Sequence, residues 1–125
     1  MYLKFKMLLT MSFGAFMIIA GIMHFIKPEI YFPFIPDFAP EYAIVYVSGI
    51  VELVLGIMVF YKPTRHLGTS GILLLMIAFL PLHFIDMFLD HPAIGSRMLA
   101  LIRFPAQLLL IWIAWFVNKK QNSID

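Results

Sequence analysis

Glu52 is the only formal charge in the stretch YVSGIVELVLGIMVFY, residues 46–61. A carboxylate in an apolar run is unfavourable unless a counter-ion, a hydrogen-bond donor or a ligand compensates it. Six more polar side chains recur in similarly apolar surroundings: His24, Ser48, His83, Asp86, Arg103 and Gln107. A guanidinium is planar, permanently charged and able to grip two oxygens at once, so Arg103 is the natural counter-ion for Glu52, with Asp86 as the alternative partner. His24 and His83 would share the proton or accept a hydrogen bond, and Gln107 adds an amide. Imidazole and carboxylate oxygens also ligate metals. However, no helix carries two His at i and i+4, and HFID at 83–86 is a weak spacing, so no metal is assigned. Cys is absent, which removes disulfides, thiolate metal sites and thiol relays within this chain.

The elements that position these groups follow from composition. Of 125 residues, 62% are hydrophobic and 13% charged, far from the roughly 45–50% and 25% of soluble domains. A hydrocarbon core about 30 Å thick needs about 20 apolar residues per helical crossing. Four such runs are present, at 7–26, 42–61, 67–89 and 98–117. The expected fold is all-α, a transmembrane four-helix bundle forming a single domain over residues 1–125. Basic residues flank the runs in pairs and form no stripe, which argues against nucleic acid as a partner. Lys4 and Lys6, Lys62 and Arg65, and Lys119 and Lys120 mark one side, six of the nine basic residues, so the positive-inside rule places both termini in the cytoplasm.

The connections and depths refine this picture. The short KPTR turn makes the second and third helices antiparallel neighbours. The first outer loop, KPEIYFPFIPDFAPE, interleaves four prolines with aromatic rings; it is expected to avoid regular helix and lie over the outer end of the bundle. Counting about 1.5 Å per residue puts Glu52 about 15 Å below the outer boundary, Arg103 and His83 about 8 to 9 Å, Asp86 about 5 Å and His24 about 3 Å. All fall in the outer half, and helical spacing gives each helix one polar face. Ser48, Gly49, Glu52 and Gly56 form a small, polar stripe at i, i+1, i+4 and i+8. Pro81 frees the Ile77 carbonyl in the third helix. The expected result is one outer-leaflet pocket formed by His24, Ser48, Glu52, His83, Asp86, Arg103 and Gln107, set either to bind a small amphiphile or to fix helix register.

Four stretches carry a family resemblance: GIMHFIKPEIYFPFIP (21–36), SGIVELVLGIMVFYKPTR (48–65), FLPLHFIDM (79–87) and RFPAQLLLIWIAW (103–115). In this order they resemble the DoxX-like family of small bacterial four-helix membrane proteins. The resemblance carries over His24, Pro28, Glu52, Arg103 and Gln107 as characteristic positions, and departs at HFID, where the family pattern has an Asn near His83. It implies a multi-pass protein of the bacterial cytoplasmic (inner) membrane, either a redox-associated subunit handling quinone or a quinone-like or lipid-like amphiphile, or a non-enzymatic accessory partner of another membrane protein. Whether the chain is catalytic stays open at this point, as does the identity of any cofactor.

Overall fold

The computed structural model describes residues 1–119, among which there are only helices, turns and loops and no strand. Lys120, counted above among the basic flanks, lies outside the described residues. Four α-helices form the body: α1 (Tyr2–Ile26), α2 (Glu41–Phe60), α3 (Arg65–Asp86) and α4 (Arg97–Asn118). All four are long and apolar enough to cross a membrane. Large apolar side chains such as Ile19, Leu74 and Leu108 face outward, as expected where the surrounding medium is lipid.

Two helix ends differ from the sequence expectation. α1 begins at Tyr2 rather than near residue 7, because Lys6 is not a loop charge. It is 1% exposed inside the bundle, and its ammonium donates to the Lys119 carbonyl oxygen. α3 stops at Asp86 rather than 89, where the carboxylate turns back to bind the following loop through the Ala93 and Ile94 amides.

Glycines set the packing of α1 on α2. A Cβ on Gly21 would lie 2.8 Å from the Gly49 carbonyl oxygen, and one on Gly56 would lie 2.8 Å from that of Gly14. Backbone therefore meets backbone, as small-residue stripes allow. These contacts fix a stagger, with position 21 of α1 beside 49–53 of α2 and position 14 beside 59–60. Ile26 is then level with about Val47, and α2 overhangs α1 by about 9 Å. A 3-10 helix, Pro28–Phe34, fills that step and packs on both helices. The prolines do not exclude helix here: Pro28 sits at the first position, where no amide hydrogen is needed, and the Ile35 amide reaches the Phe32 carbonyl around Pro33.

The KPTR turn makes α2 and α3 antiparallel neighbours, as expected. Thr64 Oγ1 donates to the Met58 carbonyl at 2.8 Å and Arg65 Nε to that of Val59 at 2.7 Å, satisfying the free carbonyls that end α2. Thr69 and Ser70 of α3 donate to Asn118 Oδ1 of α4 at 2.8 and 2.9 Å. At the end bearing the chain termini, Phe13, Met17, Val59, Ile72, Met76 and Ala114 form the buried core. α1 and α4 share the thinnest seam, held at the terminal end by Lys6 and by Tyr2 against Phe116, centroids 6.1 Å apart. The other end, carrying the two long loops, is open inside.

Candidate functional site: a two-ended cavity under the loops

The loop-end half contains a cavity of about 510 Å³, well within the range of roughly 300–1,000 Å³ typical of small-molecule sites. Five of the seven expected residues line it: His24, Ser48, Glu52, His83 and Arg103. Met17, Val45, Met76 and Phe79 supply apolar wall, while Tyr31 and Phe34 of the 3-10 helix and Ile94 of the second loop roof it.

At the deep end, His24 Nδ1 lies 2.9 Å from the Ala20 carbonyl oxygen and 3.0 Å from Glu52 Oε2. A carbonyl only accepts, so Nδ1 carries a hydrogen and directs it to Ala20. Glu52 Oε2 is close to Nδ1 but off the N–H axis, and it is left buried with no aligned hydrogen bond. Glu52 is 5% exposed. Its other oxygen, Oε1, makes no hydrogen bond either but is not sealed off, so it faces the cavity. Ser48 stands one helical turn outward on the same face. Tyr31 lies flat on His24, centroids 3.9 Å apart at 13°. Burial first, and the Glu52 charge second, push the Tyr31 phenol above its ordinary value.

The second polar end belongs to Arg103 and His83. Arg103 Nη1 is buried without a hydrogen-bond partner, and Arg103 forms no ion pair among the described residues. His83 sits within electrostatic reach of it and meets Phe34 edge-on at 5.9 Å.

The expected Glu52–Arg103 pair is not made, and helix register explains why. Phe84 and Phe104 pair at 5.6 Å, which places Arg103 beside His83. Gly71 meets Leu55, so residue 83 of α3 is level with about residue 43 of α2. That is nine residues from Glu52, or roughly 13 Å along the axis. His24 becomes the neighbour of Glu52 instead, because the α1–α2 stagger cancels the difference in depth counted from the helix ends.

Asp86 and Gln107 lie off the cavity. Asp86 is 2% exposed and accepts from the Ala93 and Ile94 amides, the second at 3.2 Å. Arg97 helps by donating to the Met87 and Leu89 carbonyls at 3.1 and 3.0 Å. Both side chains tie down the loop that forms part of the roof. Gln107 is fully buried, and its Nε2 donates to the Met76 carbonyl at 2.6 Å, clamping α4 to α3 one turn before Pro81. Both residues were expected in the pocket because depth alone does not separate a cavity wall from a helix–helix contact. Tyr31 and Phe34 were missed as site residues; the aromatic composition of their loop was the available signal.

Among the described residues, no three His, Asp or Glu side chains converge as metal ligands. The groups present are a carboxyl, an imidazole and a serine hydroxyl at one end of an apolar shaft and the Arg103 guanidinium with His83 at the other. No curated protein and no solved structure matches the chain. One family model matches residues 13–118, from within α1 to the end of α4, and the chain accordingly belongs to the family described as Domain of unknown function (DUF8561).

Proposed function

We propose that the protein is a multi-pass protein of the bacterial cytoplasmic membrane, termini inside, whose outer-leaflet cavity binds a quinone-like or lipid-like amphiphile. The observation that carries this reading is that two of the three buried side-chain polar atoms without partners among the described residues, Glu52 Oε2 and Arg103 Nη1, belong to residues bordering one cavity of about 510 Å³, the third being Gln107 Oε1 in the α3–α4 contact. Unpaired polar groups in an apolar interior are costly, and a ligand that bonds the accessible atoms of the same side chains would offset that cost. Arg103 suits a carbonyl or anionic oxygen, and His83 a ring or headgroup hydrogen bond. The resemblance to DoxX-like proteins supports a place beside a redox system, and the absence of Cys directs attention to binding or proton exchange rather than thiol chemistry.

A second reading, an assembly partner with a structural polar core, draws support from Asp86 and Gln107, both of which are bonded to backbone. One experiment separates the two. Protein purified in mild detergent is analysed by native mass spectrometry and by thermal shift with quinone analogues. Binding predicts a retained amphiphile that Arg103→Met loses. A ligand-free protein with no thermal response, recovered with a stoichiometric membrane partner, rejects the first reading.

A further inference from the structure

The cavity has two polar ends roughly 13 Å apart along the helix axes, separated by apolar wall. An amphiphile with one polar head satisfies one end and leaves the other without a partner. Building on the proposal that this cavity binds an amphiphile, we infer that its ligand is polar at both ends: an anionic oxygen group on Arg103, an apolar middle, and a hydroxyl on Glu52.

The chemistry of each end sets the assignment. Arg103 offers only donors and a permanent positive charge, and no carboxylate of the described residues pairs with it. An anionic oxygen group answers both features. The deep end is acceptor-rich. The His24 Nδ1 hydrogen is committed to Ala20, so Glu52, which lines the cavity, takes no hydrogen bond from His24, and its unsealed oxygen Oε1 is an acceptor in want of a donor. A carboxyl group retains acceptor capacity whether ionised or protonated. The donor is taken as a neutral hydroxyl because it can bond the carboxyl group in either protonation state, whereas an ammonium beside a protonated carboxyl would be an unpaired buried charge. Val45, Met76 and Phe79 line the path between the ends, matching a saturated chain.

The test uses the full chain in nanodiscs, with empty discs as the reference, and titrates laurate, ω-hydroxylaurate and ω-methoxylaurate. ω-Hydroxylaurate is expected to bind about tenfold tighter than laurate, the yield of one extra buried hydrogen bond. ω-Methoxylaurate, which cannot donate, should show no such gain. Glu52→Leu should erase the hydroxyl preference, read within the variant as the ratio of ω-hydroxylaurate to laurate affinity, and Arg103→Met should weaken all three. The methoxy comparison needs no variant, so it decides the matter even if Glu52→Leu fails to fold. If laurate binds and the hydroxyl adds nothing, or the methoxy compound binds as tightly as the hydroxy acid, the two-ended ligand is ruled out and the amphiphile-binding function stands. If no acid binds while the purified protein retains a membrane amphiphile, the two-ended ligand is likewise ruled out. If nothing is retained and nothing binds, both fail.

Discussion

The imidazole of His24 lies flat against the phenol ring of Tyr31, centroids 3.9 Å apart and planes 13° from parallel. This contact joins the deep end of the cavity to its roof, so Tyr31 reports on the environment of Glu52. Burial and the Glu52 charge both disfavour the phenolate. Below about pH 10 the phenol is protonated in both folded and unfolded chains. Above that, the unfolded chain loses its proton first, so the stability contributed by the neutral ring is lost as pH rises through the folded-state value. An ultraviolet titration of wild type minus Tyr31→Phe should show one phenol ionising above the ordinary tyrosine value. Glu52→Gln should bring it part of the way back, since burial is the larger cause. A difference signal at the ordinary value would contradict the geometry.

The glycines of α1 and α3 should behave oppositely. A Cβ on Gly21 meets the Gly49 carbonyl oxygen at 2.8 Å and the Leu53 backbone amide at 2.9 Å, neither of which can move independently. Gly21→Ala should therefore cost about 1–3 kcal/mol through overpacking and separate His24 from Glu52. At Gly71 the added carbon meets the tip of the Leu55 side chain, which can rotate. Gly71→Ala should stay within about 1 kcal/mol of wild type, helped by the helix propensity of Ala. Thermal unfolding of both variants in one detergent tests the contrast.

Asp86→Ala should loosen the roof without touching the lining. Removing the acceptor of the Ala93 and Ile94 amides should cost about 1–3 kcal/mol. Hydrogen exchange should rise over residues 87–96 and ligand affinity should fall, with α1 and α2 protected as before. Asp86→Asn keeps one acceptor oxygen and should fall between. Unchanged exchange in that loop would remove Asp86 from this role.

Membrane orientation gives a further check. Lys62 lies in the KPTR turn, Arg65 begins α3 and Lys119 follows α4, all at the terminal end. A fluorescent protein fused after the last residue should therefore fold and fluoresce, while alkaline phosphatase inserted near Asp90 should be active only if that loop faces the outside. The reverse pattern would move the cavity to the inner leaflet.

Much of the fold was readable from length and hydropathy, since a lipid-facing helix must be apolar along its whole run. All four spans lie on the expected apolar runs, with α1 starting earlier and α3 ending earlier than read, and five of the seven polar residues, His24, Ser48, Glu52, His83 and Arg103, line one cavity. Axial offset was not readable. It is set by Gly21 against Gly49 and by Gly14 against Val59 and Phe60, and the 14 residues between α1 and α2 permit a wide range of offsets. That missing α1–α2 offset left His24 too shallow, and the register of α3 and α4, seen in Gly71 against Leu55 and Phe84 against Phe104, separates Arg103 from Glu52. Asp86 and Gln107 were misplaced for a different reason: their partners are backbone groups, which every residue carries and no residue type reveals.

The buried core at the terminal end has a consequence of its own. Phe13, Met17, Val59, Ile72, Met76 and Ala114 give the chamber a floor. On the proposed reading, a ligand that enters this chamber from one leaflet leaves by that same leaflet, because the packed core closes the opposite end within the chain.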